Sequence, residues 1–319
     1  MANPEHLNQL RAGQWNAWRA ANPTLSPDLI DAKLAGLDLR GINFSKAHLR
    51  GADFTGAHLD GADLSRAILE GARLTNASLT EAKIENVQLD FLDLTDLDLS
   101  GASLHRSTLR GANLTRTNLR HADLSQTQME SALFDEADLS GAKLQGTSLR
   151  GGRFDRAVLR GVQGASAILD GVELESLSME GAVFTDAQAD NAQIKNCRLQ
   201  RADFRGAALR NANFHGSILC EAIFDEAQCE GAPTPHGAAS SSAYAVRSGL
   251  VAIGRSPAVP ARTAFWKRCW VARPDAFRGP WWTTTVVKPN ARARSRAAGS
   301  GIAPPSAASA RTCWGMKEK

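Results

Sequence analysis

Seven histidines and five cysteines are the residues of this 319-residue chain best suited to hold a metal or serve as nucleophiles. A structural zinc site needs four such ligands converging on one ion, and the cysteines follow no spacing that would supply them. No glycine-rich phosphate loop is present, and no serine or cysteine has a plausible histidine partner for nucleophilic catalysis. Two spaced sets of polar residues stand out instead. Arg106, Arg110, Arg116 and Arg120, echoed by Arg150, Arg156 and Arg160, look like a basic patch along the sequence. Thr55, Thr75, Thr95 and Thr115 recur at a constant interval, as the hydroxyls of an ice-binding face would. What either set does depends on the elements that carry it.

Those elements are set by a period of five. Every fifth residue from Leu34 to Cys229 is a centre position, 40 in all, and 25 are Leu, 8 Phe, 2 Met and 2 Ile. Only Gly164, Ala189 and Cys229 depart from the apolar pattern. Two residues before the centre stands a small residue, Ala at 25 of the 40. Five matches neither the 3.6 period of a helix nor the 2 of a strand, so it marks a repeat architecture. Units such as Ala52-Asp53-Phe54-Thr55-Gly56 and Ala112-Asn113-Leu114-Thr115-Arg116 show the form.

This unit resembles that of the pentapeptide-repeat family over residues 32–231. The resemblance implies an all-β solenoid, a right-handed quadrilateral β-helix with four units per coil and about ten coils. At ~4.8 Å per coil the rod would be on the order of 48 Å long. Its inward file would include Leu34, Phe44, Phe54, Leu64, Leu114, Phe134, Phe154, Phe184, Phe204, Phe214 and Phe224. All eight central Phe fall on one alternate pair of faces, and Gly favours the corners that follow the other pair. Two turn types alternating around the coil are therefore expected, with Gly where a type II turn needs φ > 0.

On a 20-residue coil, side chains stack in columns i, i+20, i+40. The histidines within the rod fall in different columns, so no metal site and no cofactor are expected. Cys197 reads as a small core residue. The arginines fall into columns of alternating sign, Arg110, Glu130, Arg150, Asp170 and Arg116, Glu136, Arg156, which are cross-coil ion pairs. The four Thr form a stabilising hydroxyl ladder, since the flanking column Asp53, Arg73, Asp93, Asn113 is too mixed for an ice-binding plane. Gly164 and Ala189 remove two central side chains and should leave a void or a pinch.

Leu7, Leu10, Trp15, Trp18 and Ala21 lie on one side of a helix that would cover the open first coil, making residues 1–31 a cap and lead-in. Residues 232–319 lose the period and carry 14 basic against 2 acidic groups, a composition that reads as a disordered tail or a changed reading frame. Arg292, Arg294 and Arg296, with Trp266 and Trp270, could bind nucleic acid or an anionic membrane. No apolar run spans a bilayer and the N-terminus lacks signal-peptide features, so a cytoplasmic bacterial protein is expected.

Function follows from surface rather than from a cleft. The first expectation is a non-enzymatic scaffold binding an unidentified protein partner through its faces. The second comes from the resemblance: some family members mimic duplex DNA and occupy type II topoisomerases, conferring quinolone resistance. That reading needs continuous acidic columns, and the longest here is Asp135, Asp155, Glu175. Val183, Ile218 and Ile223 occupy normally outward positions and would serve self-association, as a homodimer, or docking of the tail.

Overall fold

Each five-residue unit folds into a short extended side and a corner, and hydrogen bonds lock it to the coils above and below. The computed structural model describes residues 1–233; the basic stretch beyond, with its Trp and Arg groups, lies outside the described residues. A centre N–H donates one coil upward, Leu34 to the Asp53 carbonyl at 2.9 Å, and the corner N–H does likewise, Gly36 to Thr55 at 2.9 Å. The residue before the centre donates downward, Asp53 to the Ala32 carbonyl at 2.9 Å. The result is a parallel ladder with an offset of twenty residues, running from Asp28–His48 to Ala208–Gln228. The fold is thus a β-solenoid. Glu173–Glu175 (β1) and Gln193–Lys195 (β2) are sides extended enough to form a three-residue parallel pair, with Leu174 opposite Ile194.

The ladder begins one unit before Leu34. Leu29 is fully buried and acts as a centre, but Pro27 replaces the small residue that would have announced it.

The inward file is apolar throughout. Leu34, Phe44, Phe54, Leu64, Leu114, Phe134, Phe154, Phe184, Phe204, Phe214 and Phe224 are all buried. Phe one coil apart stack directly: Phe134 on Phe154 at 4.7 Å and 6°, Phe204 on Phe224 at 5.2 Å and 11°. Stacked aromatics of this kind add to their area burial.

The expected alternation of turn types is absent. Every corner residue from Gly36 to Gly231 has positive φ, between 54° and 74°, whether Gly or not. Lys46, Arg116, Glu136 and Phe91 all adopt it. The i→i+3 bond that closes the corner is likewise found on both pairs of faces, as in Ala47 to Phe44 and Ala52 to Leu49. At Gly111 and Gly141 the bare backbone gives room to a ring from the neighbouring coil. A Cβ there would lie 2.7 Å and 2.6 Å from the Phe91 and His121 rings folded up from the coil below.

The expected gap at Gly164 is also absent, because the next coil fills it. A Cβ on Gly164 would meet the Phe184 ring at 2.7 Å. A small void of about 10 Å³ occurs elsewhere, lined by Leu64, Leu74, Ile84 and Leu94 among others. Between Phe54 and Phe134 neither of the two columns that elsewhere carry Phe has one, and Leu or Ile takes its place.

The N-terminal segment forms two helices, α1 (Pro4–Arg11) and α2 (Trp15–Ala21), instead of one. Gly13, at φ 68°, breaks the helix between them. The break lets Trp15 lie flat on the solenoid: it is 2% exposed, packs edge-on to Phe44 at 5.4 Å, and donates Nε1–H to the Asn43 carbonyl at 2.7 Å. Arg19, also buried, donates to the carbonyls of Leu25 and Ser45 at 2.6 Å and 2.9 Å. Leu7, Leu10 and Trp18 pack, half-buried, against the same core.

Candidate functional site

The solenoid presents three outward positions per unit, and each has its own chemistry. The residue before the centre is often Asp or Asn, and its side chain caps the following corner. Oδ1 of Asp38, Asn43, Asp53, Asp98, Asp123 and Asp138 each accepts the backbone N–H two residues on, at 2.9–3.3 Å. These are Asx-type turns, which give the backbone N–H entering the corner a partner whether the corner itself is Gly, as at Gly56, or not, as at Lys46. The Arg40 guanidinium and amide, both donating to Asp38, hold its carboxyl at about 2. The Thr55 hydroxyl and amide lower Asp53 in the same way. At Asp138 burial pushes upward, but Ser140 and Arg120 together outweigh it.

This arrangement corrects the expected hydroxyl ladder. Thr55 and Thr95 donate to Asp53 and Asp93 of their own units, at 2.6 Å and 2.5 Å, rather than to one another.

Inward hydroxyls have a separate role. Ser107 Oγ inserts into the corner one coil below, accepting the Val87 N–H at 3.0 Å and donating to the Ile84 carbonyl at 2.6 Å. Ser217 does the same between Cys197 and Ile194. Cys197 donates its thiol to the Leu174 carbonyl, and burial pushes its pKa up to about 11. That thiol is a structural group, not a nucleophile. Among the described residues no three His, Cys, Asp or Glu converge as metal ligands, and no helix is long and apolar enough to cross a membrane.

Charge on the rod is sorted by coil. Residues 82–101 carry five acids and one lysine, 102–121 four arginines and no acid, and 122–141 five acids and no base. Residues 142–161 then carry five bases and one acid, and 162–181 four acids and no base. Ion pairs therefore run between coils. Arg110 lies 3.7 Å from Asp90 below and 3.4 Å from Glu130 above. Arg116–Asp96 at 2.6 Å, Arg120–Asp138 at 3.0 Å, Lys143–Asp123 at 3.3 Å, Arg150–Asp170 at 2.6 Å, Arg156–Glu136 at 3.0 Å and Arg160–Glu180 at 3.3 Å run the same way. Arg106 hydrogen-bonds Gln126 instead, at 2.9 Å. Each exposed pair contributes ~0–1 kcal/mol, so the arrangement organises the surface more than it stabilises the fold.

The acidic column is part of this pattern. Asp135 is paired with Arg153, and its Oδ1 accepts the Asp155 N–H at 3.2 Å; Glu175 accepts from Asn196 at 3.3 Å. The apolar positions are spread out. Ile218 is exposed and Val183 and Ile223 are half-buried, with Asp203 standing between the last two in their column. Phe91 was not anticipated. It is 81% exposed and is the sole apolar residue among the corners from Gly36 to Gly231.

The twenty-residue parallel offset and inward pentapeptide file define a β-solenoid repeat protein. The chain belongs to the pentapeptide repeat family, whose sequence pattern matches eight copies between residues 28 and 232. It is similar to HetL from the cyanobacterium Nostoc sp. strain PCC 7120, a pentapeptide repeat protein involved in heterocyst differentiation regulation. Identity is 26% over 73% of this chain and 92% of that one, with a TM-score of 0.29. QnrB1, a plasmid-mediated fluoroquinolone resistance protein, is 17% identical over 50% of this chain and 83% of its own, with a TM-score of 0.42. Rfr23 from the cyanobacterium Cyanothece 51142 is 19% identical over 48% and 84%, with a TM-score of 0.20. Among curated proteins, none matches the chain.

Proposed function

We propose that this chain is a non-enzymatic scaffold, a rigid rod that binds a protein partner through its outward faces. The observation that carries this reading is the sorting of charge by coil, which gives each face a fixed pattern of acidic and basic bands. We read the solenoid as a right-handed quadrilateral β-helix of about ten coils. Residues 1–31 act as its N-terminal cap and lead-in, 32–231 form the rod, and 232–319 form a basic appendage. Asp135, Asp155, Glu175, Val183, Ile218 and Ile223 are the proposed contact residues, and the expected setting is the bacterial cytoplasm.

Duplex mimicry fits less well. A DNA duplex is negative at every step, with two charges per ~3.4 Å. On this rod arginine-rich coils interrupt the acidic ones, and the Asp135, Asp155, Glu175 column is bounded by Thr115 and Lys195, too short for a phosphate-like track. The test is affinity capture from a bacterial lysate on the full chain, beside the I218D/I223D and D155R variants. A stoichiometric partner lost on one of these variants supports the scaffold. A partner retained by all of them contradicts these contact residues, and turnover of a substrate contradicts the non-enzymatic reading.

A further inference from the structure

The face built from residues 71–76, 91–96, 111–116, 131–136, 151–156 and 171–176 runs up the middle of the banded region. A two-fold axis lying in the plane of this face, perpendicular to the rod, sets each column against its own reversed copy. With the axis between the levels of Asn113 and Leu133, opposites meet. Asp93 faces Arg153 of the second copy, Asp96 faces Arg156, and Arg116 faces Glu136. Thr95 and Thr115 come opposite Asp155 and Asp135, hydroxyls against carboxylates. Phe91 comes opposite Gly151, the bare first residue of a Gly151-Gly152 pair. Displacing the axis by half a coil, to the level of Asn113, shifts the register by one coil and reverses the match: Asp96 then faces Glu136, and Arg116 faces its own copy.

We propose that this face binds a second copy of the chain, antiparallel and side by side. Charge complementarity identifies the occupant, because no column of the face sets like charges opposite each other at this register. The internal pairs Asp96–Arg116 and Glu136–Arg156, at 2.6 Å and 3.0 Å, meet across the interface as rings of four alternating charges. Phe91, 81% exposed and with its ring folded over Gly111 of its own column, is the apolar anchor, set against the small Gly151 and Ser131 corners of the second copy. An isologous contact of this kind is what two-fold symmetry requires. The footprint is small. Six coils at ~4.8 Å by about three extended residues of ~3.3 Å cover roughly 300 Å². A standard interface buries ~800 Å² per partner, so the dimer is weak and reversible. It goes beyond the scaffold reading and does not rest on it.

The test is sedimentation velocity of the full chain across a concentration series, in about 50 mM and about 500 mM salt, since screening weakens exposed pairs. Wild type dimerises with rising concentration at low salt and is monomeric at high salt. F91G, which keeps positive φ at the corner, raises the dimer dissociation constant about tenfold or more, as loss of an interface anchor does. D93R and R153D are each monomeric, and an equimolar mixture of the two recovers the dimer, because each variant supplies the charge the other lacks. Circular dichroism checks that each variant is folded. A monomeric wild type at low salt overturns the proposal. So does a dimer indifferent to F91G and D93R, or a mixture of D93R with R153D that stays monomeric.

Discussion

Gly164 breaks the repeat, and replacing it with the consensus leucine separates two lines of reasoning. From the pattern alone, G164L restores a missing central side chain and should stabilise the rod by about 2 kcal/mol, the value of burying one leucine. The structure predicts the opposite sign. A Cβ alone would lie 2.7 Å from the Phe184 ring and 3.3 Å from the Val183 carbonyl, and Leu adds three further carbons. Phe184 cannot swing away, being fully buried and stacked at 5.7 Å on Phe204. Overpacking of this kind costs ~1–3 kcal/mol. F184L alone empties part of the space above Gly164 and costs less than the ~3–5 kcal/mol of a Phe→Ala change. In G164L/F184L the new leucine occupies what the ring vacates, so the double variant is more stable than the sum of the singles by about 1–3 kcal/mol. Urea unfolding followed by circular dichroism at constant m-value reads all four species. A higher midpoint for G164L, or strict additivity in the double variant, would refute the reasoning.

Trp15→Ala removes a buried ring and its bond to the Asn43 carbonyl, and should cost ~3–5 kcal/mol. Hydrogen exchange should show the loss at residues 28–60 and leave the coils beyond residue 180 protected, because each coil contacts only its neighbours. The corner carboxylates predict acid sensitivity. Asp38, at about 2, and Asp53, also lowered, titrate below the unfolded value of ~3.9. Their stabilisation is present above that value and lost as pH falls through the folded pKa, so stability should decline between about pH 4 and pH 2. D53N keeps an acceptor for the Thr55 amide and should flatten that slope, and an unchanged slope would count against the corner role. Mass spectrometry after alkylation at pH 8 should find Cys220 modified well before Cys197, whose thiol is buried and raised to about 11.

Much of this molecule was legible because one constraint repeats forty times. The five-residue period named the family and the inward file, and stacking at twenty residues anticipated the Arg110–Glu130 and Arg150–Asp170 pairs. What escaped is what single units do to their neighbours. Phe184 filling the place of Gly164 is a contact between coils, invisible to a rule that scores each centre alone. The uniform positive φ was masked because side-chain-bearing residues such as Lys46 and Arg116 accept it when bonded to adjacent coils. The Asx corners had a signal, the Asp or Asn that stands before 12 of the 40 centres, which the period recorded without giving it a role. Phe91 had one too, as an apolar residue where every other corner is Gly or polar. The helix break at Gly13 depends on how Trp15 meets Phe44, and helical periodicity carries no information about that surface.

The claim that most needs testing is that coil-by-coil charge reversal makes this rod a protein-binding scaffold rather than a duplex mimic. DNA gyrase supercoiling, with the full chain titrated in and with or without a fluoroquinolone, tests it most directly. A rod whose arginine bands interrupt its acidic ones predicts unchanged supercoiling and no protection from the drug at micromolar concentrations. Inhibition or protection in that range, abolished by D135N/D155N/E175Q, would contradict it.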